Sequence, residues 1–171
     1  MEKLKTKIRD IQDFPKPGIV FKDITPLLKD PSSLHLAIEQ LAKPYLKEDI
    51  TAVAGIEARG FIFGSLVASL LGIGFIPLRK PNKLPCRVVS VDYTSEYGTT
   101  SLEIHHDAIK PGDRILLIDD LLATGGTAMA SCQLVEKLGG KVIACVFLIE
   151  LTQLTGRERL SLYPIHTLLA Y

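Results

Sequence analysis

The chain has 171 residues, of which 47% are hydrophobic and 23% charged, enough for one domain with a full core. Its formal net charge is +1, which gives no electrostatic footprint for nucleic acid or an anionic membrane surface. No apolar run approaches the ~20 residues of a membrane span, so neither a membrane nor a nucleic-acid partner is expected.

The opening residues Met1 to Lys5 are charged and lack the apolar stretch of a secretory signal, so a cytoplasmic protein is expected. Leu4, Ile8 and Ile11 recur at i, i+4 and i+7 and predict a short amphipathic helix, broken by Pro15, Pro17 and Gly18. Ile19 to Ile24 reads as a short extended piece. Asp30 and Pro31 open the next helix, with Asp as cap and Pro in the first position. Leu34, Ile38, Leu41 and Tyr45 line one of its faces, and Pro44 ends or kinks it. Ile50 to Ile56 then reads as a strand, Glu57 to Gly60 as a turn, and Phe61 to Leu71 as an apolar helix stopped by Gly72. Phe75 to Leu78 is the following strand. Residues 79–106 form a long connection in which Ser101 to His105 alternates polar and apolar, one arm of a hairpin. Such a connection in a compact domain predicts a mobile lid.

Ile115 to Ile118 begins a second strand–loop–helix unit, with a helix from about Thr127 to Leu138 ending at Gly139-Gly140 and a further strand over Val142 to Ile149. Two such units predict an α/β fold: a mostly parallel twisted sheet flanked by helices, in a single domain over residues 1–171. The cysteines, Cys86, Cys132 and Cys145, are an odd number without metal-ligand spacing; Cys132 falls in a predicted helix and Cys145 in a predicted strand, which fits core packing and a reducing compartment.

The densest chemical signal is Ile115-Leu116-Leu117-Ile118-Asp119-Asp120-Leu121-Leu122-Ala123-Thr124-Gly125-Gly126-Thr127. Its four apolar residues read as a strand buried on both faces, with two carboxylates at the carboxyl end, where open α/β sheets bind ligands. Ala123 to Thr127 follow with small residues and hydroxyls at a helix start. Free N–H groups and the helix dipole suit a phosphate there. Acids beside an anion loop make sense for a ligand that carries hydroxyls or a metal ion next to its phosphate, as a ribose 5-phosphate does. A second cluster, Glu57-Ala58-Arg59-Gly60, places a guanidinium fork at another strand end. Arg79, Lys80 and Lys83 add nearby positive charge. The adjacent His105 and His106 point to opposite faces of a strand and do not make a metal site.

The thirteen-residue stretch resembles the phosphoribosyl pyrophosphate (PRPP) signature of the type I phosphoribosyltransferases. The resemblance implies that Asp119 and Asp120 hold ribose hydroxyls and that Ala123, Thr124, Gly125, Gly126 and Thr127 hold the 5-phosphate. Glu57, Ala58, Arg59 and Gly60 resemble the family's pyrophosphate loop, with Arg79, Lys80 and Lys83 facing pyrophosphate from this chain or a neighbouring subunit. Pro17 to Leu28 looks like the purine-binding segment of the adenine-specific branch. Carried over, Val20 and Lys22 present backbone groups to adenine and Phe21 stacks on it. Lys22 stands where that branch often has Arg. Ser95-Glu96-Tyr97-Gly98 looks like the catalytic loop, with Glu96 moving a purine proton and Tyr97 and Arg59 in the catalytic set. Glu150-Leu151-Thr152 and Gly156-Arg157-Glu158 resemble the C-terminal portion.

The implied reaction joins adenine to PRPP, giving AMP and pyrophosphate. Mg²⁺ is the expected cofactor, carried by PRPP and water without a protein cage, and a homodimer is expected. A transferase for hypoxanthine or guanine, and a PRPP-sensing regulator, remain the alternatives.

Overall fold

The computed structural model describes residues 1–95 and 98–171. Helix α1 (Glu2–Lys5) is followed by strands β1 (Arg9–Ile11) and β2 (Phe21–Asp23), which pair antiparallel. The helical spacing of Ile8 and Ile11 is therefore not used beyond the first turn. A helix of this length is marginal alone. The ribbon instead gains cross-strand ion pairs: Arg9 reaches Asp23 at 2.6 Å and Lys22 reaches Asp10 at 2.8 Å.

Helix α2 (Thr25–Lys29) was invisible to periodicity; its first N–H, that of Thr25, donates to the Asp23 carboxylate at 2.9 Å. Helix α3 (Pro31–Ala42) starts where Asp30-Pro31 predicts. The Asp30 carboxylate takes the Ser33 hydroxyl at 2.6 Å and pairs with Lys7 at 3.3 Å rather than capping a backbone N–H. Pro44 turns the helix end into a 3-10 turn that carries Tyr45.

Strand β3 (Ala52–Ile56), helix α4 (Gly60–Leu71) and strand β4 (Gly74–Leu78) form the first crossover unit, with α4 closed by Gly72 in the left-handed region. Strands β5 (Val88–Ser95) and β6 (Gly98–His105) make a hairpin in register from Val88/His105 to Ser95/Gly98. The second unit is β7 (Arg114–Leu122), α5 (Gly126–Lys137) and β8 (Lys141–Glu150); α6 (Gly156–Arg159) and β9 (Ile165–Ala170) complete the chain. The sheet is parallel throughout, in the order β4-β3-β7-β8-β9. Strand β9 was not anticipated, because Pro164 and a mixed polar–apolar run hide it.

Alternate residues of β7 feed two cores. Ile115 and Leu117 pack with α5 and with Val91, Leu102 and Ile104 of the hairpin. Leu116 and Ile118 pack with Ile38 and Leu41 of α3 and Phe63 and Val67 of α4. Complete burial of each such side chain is worth about 1.5–3 kcal/mol. Cys132 and Cys145 are buried free thiols with sulfurs 3.5 Å apart, and their hydrogen bond and burial push the Cys132 thiol up. No helix among the described residues is long and apolar enough to cross a membrane.

Candidate active site

Strand β7 outruns its neighbour. Its register with β3 ends at Gly55/Ile118, whereas its register with β8 continues through Leu122/Glu150. Asp119 and Asp120 therefore lie inside the strand, which runs on to Leu122, rather than at its carboxyl end where the sequence placed them. Their flank of β7 faces the turn that follows β3. Asp119 is partly open to this space; Asp120 is buried. Asp119 Oδ1 accepts the Asp120 N–H at 2.8 Å. Burial raises both acids. The neighbouring Asp120 charge raises Asp119 further, while the Arg59 guanidinium pulls Asp120 back down. Asp120 Oδ2 has no aligned hydrogen bond among the described residues. Arg59 lies against it, with Nε at 2.9 Å. An acceptor this deep and this poorly satisfied is suited to a ligand hydroxyl.

The anion loop follows directly. Gly125 has φ +76°, a conformation that L side chains rarely adopt, and it turns the chain into α5. The first-turn N–H groups of α5 are left without intrahelical partners by the geometry of any helix start. Gly60, at the start of α4, is needed for a different reason. A Cβ there would lie 2.8 Å from both Asp119 Oδ1 and the Ile118 carbonyl oxygen, so only glycine lets α4 sit this close to the acids.

The Glu57 turn serves a role the sequence did not assign. Glu57 is buried and binds Arg79 Nη2 at 3.2 Å, Lys83 Nζ at 2.9 Å and the Lys80 N–H at 3.0 Å. Burial would raise its carboxyl, but Lys83, Arg79 and the Lys80 N–H outweigh that and hold it at about 2. Arg79 and Lys83 are thus held by this carboxylate of their own chain and do not line the cleft; Lys80 does. The Glu57–Ala58 peptide is cis. Glu57→Gln is expected to destabilise the protein most at neutral pH. A depressed carboxyl contributes stability present above its unfolded value of about 4.3 and lost as pH falls toward about 2. The melting-temperature deficit of the variant should therefore shrink between pH 7 and pH 3. An equal deficit at both would remove the charge argument.

These parts enclose one cleft of about 470 Å³, formed by the Glu57–Arg59 turn, Lys80, both acids and the Ala123–Thr127 loop. Tyr93, Thr99 and Thr100 of the hairpin complete its wall. The sequence reading missed them, because the pairing of Tyr93 with Thr100 is a hairpin register that no local pattern displays. Glu96 and Tyr97 lie outside the described residues. Phe21 sits beside the cleft with the Arg59 guanidinium 5.2 Å from its ring centre and Phe14 edge-on at 5.2 Å. Val20 is exposed next to it. The Lys22 ammonium points elsewhere, to Asp10 and to the Tyr171 ring at 4.1 Å, leaving only its backbone for a base.

Residues 27–166 match the phosphoribosyl transferase domain family. The chain is 67% identical to the adenine phosphoribosyltransferase of Nitrosococcus oceani over the full length of both. It belongs to the adenine phosphoribosyltransferases. A crystal structure of the adenine phosphoribosyltransferase from Rhodothermus marinus superposes with a TM-score of 0.95 at 54% identity, covering 99% of this chain and 97% of that one. The Saccharomyces cerevisiae adenine phosphoribosyltransferase, solved with D-2,5-dideoxy-2,5-imino-altritol 1,6-bisphosphate and adenine, gives 0.90 at 36% identity, covering 97% and 96%. The parallel sheet and its flanking helices are thus those of an adenine phosphoribosyltransferase, as the PRPP-like stretch led us to expect.

Proposed function

We propose that this chain transfers the 5-phosphoribosyl group of PRPP to N9 of adenine, releasing AMP and pyrophosphate in purine salvage. The observation that carries the reading is one cleft in which an anion loop, two adjacent acids, one of them buried, and an arginine turn meet, in a chain so similar to known adenine phosphoribosyltransferases. The α5 N-terminus and the Thr124 and Thr127 hydroxyls hold the 5-phosphate. Asp119 and Asp120 accept the ribose hydroxyls. Arg59 and the turn N–H groups, with Lys80 opposite, hold pyrophosphate.

Arg59 couples these tasks, because it lies against Asp120 and over Phe21 at once. Diphosphate competes for the guanidinium. Its departure frees a carboxylate for a ribose hydroxyl and a ring face for adenine. Pyrophosphate leaves C1 as N9 approaches from the opposite side, and the positive charge developing on the sugar is stabilised by positioned anions. Glu96 and Tyr97, outside the described residues, are assigned to the catalytic set, with Glu96 assisting the purine proton.

Mg²⁺ fits this donor set as a cation carried on PRPP. Two carboxylates offer hard oxygens, and no cluster of three or more ligating side chains occurs among the described residues. When bound, it would neutralise charge on the diphosphate leaving group. The buried free thiols support a reducing, cytoplasmic setting, and exposed Leu66 and Leu70 on α4 support a homodimer.

An AMP-formation assay with PRPP and Mg²⁺, offering adenine, hypoxanthine and guanine separately, tests the reading. Turnover with adenine alone is expected. Turnover with a 6-oxopurine instead would keep the PRPP site and discard the base assignment around Phe21.

A further inference from the structure

We infer that Arg159 is a phosphate-binding residue, supplying a side-chain cation to the 5-phosphate of PRPP from the C-terminal segment; this rests on the phosphoribosyl reading of the cleft. The loop itself, Ala123 to Thr127, carries no positive side chain. It offers N–H groups and hydroxyls to a dianion that must sit near Asp119 and Asp120.

The C-terminal segment is fixed at three points, one of them against this loop. Gly156 is buried with no room for a side chain: a Cβ there would overlap the Ala123 carbonyl oxygen and lie 3.0 Å from the Gly125 nitrogen. Arg157 turns away and is spent on Glu150, to which it donates two hydrogen bonds of 2.9 and 2.6 Å. Leu160 is fully buried in the core beneath α5.

Between those anchors Arg159 faces the other way. Its Nη1 lies 2.9 Å from the point a Cβ would occupy on Gly126, the first residue of α5. The Thr94 carbonyl oxygen of the hairpin lies 2.8 Å from the same point. Arg159 makes no hydrogen bond or ion pair with the described residues, and the first turn of α5 holds no acidic side chain. A guanidinium beside the positive end of a helix is in the unfavourable place for a cation. Among the described residues no carboxylate offsets that repulsion. A phosphate seated on the same N–H groups would reverse it, because the anion attracts both the dipole and the arginine. The two neighbouring arginines thus divide their work: Arg157 fixes the segment, and Arg159 meets the ligand.

The test uses the whole enzyme as wild type, Arg159→Ala, Arg159→Lys and Arg157→Ala. Ribose 5-phosphate affinity is measured by calorimetry, together with KM for PRPP, KM for adenine and melting temperature. Arg159→Ala is expected to weaken ribose 5-phosphate binding and raise KM for PRPP by ~10-fold, since a charged hydrogen bond is lost. KM for adenine and melting temperature should stay unchanged, and lysine should restore part of the affinity. The gap between wild type and Arg159→Ala should narrow in about 0.5 M salt, where surface charges are screened. Arg157→Ala should lower melting temperature instead, by stranding Glu150. Unchanged ribose 5-phosphate affinity in Arg159→Ala, with a wild type that binds it and makes AMP, would overturn the role of Arg159 alone. A wild type that neither binds ribose 5-phosphate nor makes AMP would overturn the phosphoribosyl reading itself.

Discussion

Replacing both cleft acids, Asp119→Asn with Asp120→Asn, is expected to lower kcat/KM for PRPP by about 10²–10⁴-fold with the fold intact. Each acid loses a charge-assisted hydrogen bond to a ribose hydroxyl, worth about 1.5–3 kcal/mol, and every 1.4 kcal/mol is roughly tenfold in rate. Stability should move the other way. Asp119 has its carboxyl raised by burial and by Asp120, so the folded state resists its ionisation. A group raised on folding contributes stability below its unfolded value of about 3.9, and that contribution is lost as pH rises through the folded value. Asp119→Asn alone should therefore melt higher than wild type at pH 8, with a smaller gain at pH 4. Steady-state kinetics on the double variant and melting curves on the single one check both halves. Near-normal PRPP turnover in the double variant would sink the ribose assignment.

Gly60→Ala should damage both stability and catalysis. Alanine normally favours a helix over glycine by about 1 kcal/mol, so propensity alone predicts a gain. The space decides otherwise. The added Cβ would sit 2.8 Å from the Ile118 carbonyl oxygen and 3.2 Å from the Asp119 Cα, both on the backbone of a central strand. That strand cannot give, so α4 must retreat, at a cost of about 1–3 kcal/mol for an overpacked contact. The retreat displaces Arg59 within the cleft, and a misplacement of ~1 Å in a reacting site costs on the order of 10²-fold. A lowered melting temperature together with reduced kcat/KM is expected. A variant as active as wild type and more stable would show that the close approach is not needed.

The two crossover units were legible because buried parallel strands and amphipathic helices leave a clear periodicity, and Gly72 and Gly139 punctuate it. The acids, the anion loop and the Arg59 turn were legible because each lies at the end of such a unit. The actual bounds of β7 were not. Its last residues, Asp119 to Leu122, are polar in part and look like a turn, yet pairing with β8 holds them extended. The ion pairs of Glu57 were not legible either, because nothing in sequence shows that Arg79 and Lys83, more than twenty residues away, close on it. The β1–β2 ribbon was lost for a similar reason: Arg9–Asp23 is a tertiary ion pair, and it overrides a local helical spacing. The C-terminal segment carried a family likeness, but the difference between Arg157 and Arg159 depends on which way each side chain turns.

The overhang of β7 has a consequence for how such a protein can change. The groups proposed to grip sugar and phosphate stand on a central strand and the head of a long helix, parts that cannot shift without unmaking the core. Phe21 belongs instead to a two-stranded ribbon outside the main sheet, with Val20 just before it, and no hydrogen-bond ladder joins that ribbon to the sheet. Inheritance can therefore rework the outer ribbon for a different heterocycle while the sugar-phosphate half stays as it is. Recognition of the base and activation of the sugar are separable traits in this architecture, and only one of them is free to drift.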